Sequence, residues 1–197
     1  MNDKGLYGQY GLSDWWTSEF TEIERARFKE LYKPYSISLQ SLTEGPVSDS
    51  DRSVVWFLTT LAGYFSNKAD TNIGLKFLKK AEELIEQGNI LDKHFLYLQL
   101  IESHYKNREK DHHYQLAKYY CQKQISIAPA VAHSFLSEFP QPLPSHTGFH
   151  QLAIILEKEK KYHEAINLCK EALQQGWNGD WLNRIEKLEN KLLKAKS

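Results

Sequence analysis

Apolar residues recur through most of the chain at intervals of three and four, the period of a helix with one buried face. Alternating runs that would mark strands are few. Near the start, Leu6, Tyr7, Tyr10 and Leu12 are interleaved with Gly5, Gly8 and Gly11, which predicts an irregular leader with apolar anchors. Ser13-Asp14 offers an N-cap for a short turn carrying Trp15, Trp16 and Phe20, and Thr21 with Glu24 forms a capping box ahead of Ile23, Phe28 and Leu31. That helix should end before Pro34. The stretch from Thr43 to Asp51, with Gly45-Pro46, has linker composition, and Pro140, Pro142 and Pro144 interrupt the helical pattern a second time. After the turn Asn178-Gly179-Asp180, the stripe Trp181, Ile185, Leu188 and Leu192 predicts a terminal helix capped by Asp180, with Arg184, Glu186, Lys187, Glu189, Lys191 and Lys194 on its other face. The expected fold is all-α: an aromatic-rich N-terminal cap and linker over 1–51, a helical body over 52–180 and a capping helix over 181–197, together one structural domain.

Three windows share a finer pattern. Phe149, Leu152, Ala153 and Leu156 are followed by Ala165, Cys169 and Ala172, with Trp177 closing the motif. Leu58, Leu61, Ala62 and Phe65 are followed by Gly74, Leu78 and Ala81. Leu98, Ile101 and Tyr105 are followed by Ala117 and Cys121, with Pro129 as terminator. The pattern resembles the tetratricopeptide repeat, whose paired helices carry W-x2-L-G-x2-Y and then A-x3-F before a proline. The resemblance implies interrupted helical hairpins of a right-handed solenoid type, because Gly74, Ala117 and Ala165 are farther apart than the ~34-residue period of tandem repeats. Extra elements are expected around Asn89 to His94 and Ala130 to Phe135, and a longer helix or loop from Lys106 to Tyr114. Cys121 and Cys169 would stand where the family buries an aromatic ring.

Composition narrows the classes of function. The chain has 197 residues, 41% of them hydrophobic, and its 25 basic and 25 acidic side chains cancel. Such a chain supports a sizeable core and has no global field to recruit nucleic acid or an anionic membrane. The first 51 residues carry an acidic excess of four and the rest a matching basic excess. The longest apolar runs, Val54 to Leu58 and Leu152 to Leu156, fall far short of the ~20 residues that span a bilayer. With a polar start lacking a signal-peptide core, a cytoplasmic location is expected.

Candidate chemistry is sparse. The two cysteines lie in no metal-ligand spacing, and small buried core residues are the expectation for both. His146 and His150 are spaced i, i+4 but lack the glutamate of an HExxH motif, so His146 is expected at the start of a helix, orienting the turn. His112 and His113 read as a solvated turn, and His94 and His104 as a polar fringe on a packed helix. No P-loop, nucleophile elbow or carboxylate array occurs, so neither catalysis, a cofactor nor a bound metal is expected.

The resemblance implies a groove lined by the first helix of each pair, here Trp56, Thr59, Gly63, Ser66 and Asn67, then Leu96, Gln99, Ser103, Lys106 and Asn107, then Thr147, His150, Ile154, Glu157 and Lys158. It therefore implies a non-catalytic interaction or scaffold module that holds a peptide segment or helix of a protein partner. A ligand-sensing regulatory subunit is one alternative. RNA binding is another, carried by Lys106, Arg108, Lys110, Tyr114, Lys118, Tyr119, Tyr120 and Lys123 but interrupted by Glu109 and Asp111. The pair Trp15 and Trp16 could pack in the core or serve an interface.

Overall fold

The computed structural model describes residues 5–33, 39–45, 52–138 and 142–196, so Pro34, Pro140 and most of the expected linker lie outside the described residues. Of the described residues about 77% are helical, in twelve α-helices and one short 3-10 helix, Ile85–Gln87. The chain forms two compact units, Met1–Asn89 and Ile90–Ser197.

In the first unit α1 (Gly5–Gln9), α2 (Ser13–Glu19), α3 (Glu22–Leu31) and α4 (Gln40–Thr43) surround the pair α5 (Val54–Gly63) and α6 (Thr71–Glu83). The glycine-spaced leader is thus partly helical rather than irregular. Leu12, not Ser13, is the N-cap of α2, and no side chain caps that helix. The capping box of α3 is complete, with Thr21 accepting from the Glu24 amide and Glu24 receiving the Thr21 amide at 2.8 Å. Aromatic rings build the core: Trp16 lies 4.9 Å from Tyr7, 4.7 Å from Phe20 and 5.1 Å from Phe28, and Phe20 lies 4.8 Å from Phe77. Trp16 is buried there, while Trp15 is half-buried with its ring edge-on to Phe20 and Phe77. Arg27 of α3 binds Asp70 through both Nε and Nη2, at 2.9 and 2.8 Å, which fixes α3 against the turn before α6. A Cβ on Gly74 would stand 3.1 Å from the Phe65 Cβ, so the missing side chain lets α5 and α6 approach closely.

The second unit contains α7 (Ile90–Lys106), α8 (Asp111–Ser126), α9 (Ala128–Glu138), α10 (Thr147–Lys158), α11 (Tyr162–Gln174) and α12 (Trp181–Lys196). Neighbours in sequence pack together: α7 on α8, α10 on α11 and α11 on α12, with α10 also against α7 and α8. Of the expected extra element at Asn89 to His94, residues 90–94 prove to be the first turn of a 17-residue α7, not a separate element. Pro129 occupies the first turn of α9, where its missing amide removes no helical bond, so it opens a helix directly after α8 ends. One small sheet departs from the all-α expectation: β1 (Leu143–Ser145) pairs in parallel with β2 (Trp177–Asn178), Leu143 opposite Trp177. Trp181, Ile185 and Leu188 of α12 are buried, as their stripe predicts. Both cysteines are buried and free; burial pushes the Cys121 thiol up to about 12 and that of Cys169 up to about 11.

Candidate functional site

A cleft of about 340 Å³ in the second unit is lined by His150 and Glu157 of α10 and by Asp180, Trp181, Arg184, Lys187 and Leu188 at the start of α12. Helical spacing explains the lining. His150 and Glu157 are two turns apart on one face of α10, and Trp181, Arg184 and Leu188 follow each other at three and four residues on α12. The turn at Asn178 to Asp180 folds α12 back onto α11, from where its side chains reach those of α10. Trp181 is buried, and its indole nitrogen donates to the Trp177 carbonyl at 2.7 Å, which holds the ring as a wall of the cleft.

Charge in the cleft is organised around Glu157. Its Oε1 accepts from Lys191 at 2.6 Å, and its Oε2 lies 3.7 Å from Arg184 Nη1, too far for a hydrogen bond. That Arg184 nitrogen is buried and has no other hydrogen-bond partner. Asp180 Oδ2 accepts from Asn183 at 2.9 Å. His150 stands at the exposed rim, and partial desolvation, then the nearby Arg184 charge, lower its pKa. The site therefore offers a guanidinium donor, an ammonium and an imidazole above an apolar floor. That equipment can orient a bound polar group but supplies no activated nucleophile.

The expected groove residues fall into distinct settings. Trp56 is half-buried beneath the Arg52 guanidinium, 5.1 Å from its ring, and belongs with Thr59, Gly63, Ser66 and Asn67 to the first unit. Thr59 is buried on α5, and Asn107 is buried in the turn after α7, donating to the Ser103 carbonyl at 3.1 Å, so neither lines an open surface. Leu96 is likewise core. Gln99 and Ser103 are half-buried on α7, Lys106 is exposed at its end, and Ile154 and Thr147 are half-buried on α10. Lys158 donates to the Tyr105 hydroxyl at 3.0 Å, tying α10 to α7, while Glu157 ties α10 to α12. Of the expected set, His150 and Glu157 meet in the cleft. The α12 residues opposite them read as the solvated side of a capping helix, although Asp180, Arg184 and Lys187 already share a helical face in the sequence.

Other candidates resolve differently. His146 is fully buried at the N-cap of α10, where its Nδ1 accepts from the Phe149 amide at 3.4 Å, so it and the exposed His150 do not converge. His113 is buried rather than solvated, and its Nδ1 meets that of His104 at 2.7 Å because the hairpin turns the start of α8 toward the end of α7. Among the described residues no three His, Cys, Asp or Glu side chains are placed to hold a metal ion. In the basic and aromatic patch, Lys118 is bound to Glu159 at 2.8 Å, Tyr114 donates to the same carboxylate at 3.2 Å and Tyr120 is buried. Among the described residues no helix is long and apolar enough to cross a membrane. No protein-family model matches the chain, and no curated protein or solved structure is significantly similar to it.

Proposed function

We propose that the protein is a non-catalytic interaction module of the tetratricopeptide-like kind, acting in the cytoplasm, whose second unit holds a peptide segment or helix of a protein partner. The observation that carries this reading is that α10 packs on α7 and is tied by side chains to α12, which itself packs on α11. Lys158 to Tyr105 joins α10 to α7 and Glu157 to Lys191 joins it to α12, with the cleft opening between α10 and α12. The first helices α7 and α10 of two successive pairs adjoin in this way when hairpins stack, with α12 as the terminal helix, and the buried small residues Ala117, Ala165 and Ala172 on the second helices support the same reading. Trp181 and Leu188 provide an apolar floor, while Arg184, Lys187 and His150 provide donors that orient a segment. The Lys118 to Glu159 ion pair draws charge away from the patch that would serve RNA.

The test is selection of binding segments from a displayed peptide library against the whole protein. Selected segments should bind at least tenfold more weakly to a His150→Ala/Lys187→Glu variant, since both positions are exposed and lie outside the core. Equal binding by parent and variant, or selection yielding no segment, overturns the reading.

A further inference from the structure

All eight histidines of the chain fall within Ile90–Ser197, and four of them are buried in two pairs that grip opposite ends of α7. At one end His94 of α7 faces His146 at the start of α10, with ring centroids 5.2 Å apart. Trp177 of β2 lies parallel to His94 at 6.2 Å and edge-on to His146 at 4.6 Å. Gln124 of α8 closes this box, donating to the His94 carbonyl at 3.0 Å and accepting from the Gly148 amide at 2.6 Å. At the other end His104 meets His113 through their Nδ1 atoms at 2.7 Å and stacks on Tyr120 at 5.6 Å.

Each pair needs an unprotonated nitrogen. His146 Nδ1 spends its lone pair accepting the Phe149 amide, so its proton sits on Nε2, which is buried without a partner, as is His94 Nδ1. A second proton on His146 can go only to Nδ1, and there it displaces the helix cap. Between His104 and His113 one Nδ1 donates and the other accepts, and a proton on the acceptor sets two N–H groups against each other.

We propose that the Ile90–Ser197 unit is a proton-operated latch, in which mild acid protonates the two histidine pairs and releases α7 from α8 and from the start of α10 while the Met1–Asn89 unit stays folded. The backbone of His146 and of Gln124 favours a charged His146, but burial and the facing His94 outweigh it. Around His94 and His146 the facing elements present each other's imidazole and the uncharged rings of Phe135, Phe149 and Trp177. Around His104 and His113 the ionisable neighbours are His112, Tyr120, Lys110 and Glu109, of which only Glu109 favours the cation. Burial holds His94 and His104 down at about 4 and His146 at about 3, so protons taken up between pH 6.5 and those values bind the open form in preference.

The experiment is amide hydrogen exchange on the full chain from pH 7.5 to 5, corrected for intrinsic rates, a window above the ordinary range of carboxylate titration. The equilibrium constant for opening of α7 and α10 should rise by more than tenfold per pH unit below 6.5, the signature of more than one proton, and peptides of Met1–Asn89 should keep their protection. A rise of tenfold or less, or parallel loss of protection in both units, overturns the proposal. A His94→Phe/His146→Asn variant, in which Asn keeps a capping acceptor, should show a shallower pH slope. Where that variant does not fold, the imidazole carbon protons of the parent decide. His94, His104 and His146 should stay neutral at pH 5.5 in the native form, and native titration of these three near 6.5 overturns the latch.

Discussion

His104 and His113 meet nitrogen to nitrogen at 2.7 Å although nine residues and a tight turn separate them, and the contact makes the α7 to α8 hairpin depend on a neutral imidazole. His104 is held at about 4, by burial first and then by His113 and His112. A histidine with a lowered folded pKa contributes stability that is complete above its unfolded value of ~6.5 and falls as pH drops toward the folded value. Unfolding free energy of the second unit should be flat above pH 7 and decline below 6.5 by about 1.4 kcal/mol per pH unit for each such histidine. Removing one partner, as in His113→Ala, leaves a buried nitrogen unsatisfied and should cost about 1–3 kcal/mol in urea unfolding at pH 7.5.

Gly148 has no space for a side chain. A Cβ there would stand 2.9 Å from the Gln124 amide oxygen and 3.0 Å from the Cys121 carbonyl. The helix propensity gained from alanine is ~1 kcal/mol, whereas forcing α10 away from α8 in a packed interior costs about 1–3 kcal/mol and disturbs the Gln124 bridge as well. Gly148→Ala should therefore lower the melting temperature, and a variant as stable as the parent would show that α8 and α10 are less closely apposed.

Glu159 sits where burial would raise its pKa, but hydrogen bonds from Lys118 and Lys161 prevail and hold it at about 2. Its stabilising contribution is present above pH 4.5 and is lost as pH falls toward 2. Glu159→Gln should cost about 1 kcal/mol at neutral pH, reduced by half a molar salt, since the Lys118 and Glu159 side chains each retain about a fifth of their exposure. A salt-independent loss would mean that packing rather than charge is responsible.

Cys121 and Cys169 should react with an aqueous thiol reagent only as fast as the second unit opens, because burial keeps both as protonated thiols. Labelling in native buffer should take far longer than in denaturant, and prompt labelling of either thiol would place it outside the core.

Much of the helical architecture was legible from short-range chemistry. The Thr21 to Glu24 capping box, the His146 cap and the spacing of the terminal helix's buried stripe all express patterns within one or two turns. Such patterns carry their spacing in the chain itself. Where local cues competed they misled: Ser13 looked like a cap but lies inside α2, and the glycine-spaced leader contains a helix, because packing against α4 and the aromatic core outweighs weak intrinsic preference.

Periodicity shows which face of a helix is buried, not what it is buried against, and that second fact needed the assembled fold. His113 changes from a solvated turn residue to the partner of His104 only when the hairpin closes. Gln124 finds its acceptor 30 residues before it and its donor 24 after it, and Trp177 reaches the two histidines through the pairing of β1 with β2. The cleft arises likewise from residues of α10 and α12 that are far apart in sequence and adjacent only because α11 folds between them. Local propensities act over a few residues, whereas burial of polar groups is resolved by whichever partner the closed core brings within about 3 Å.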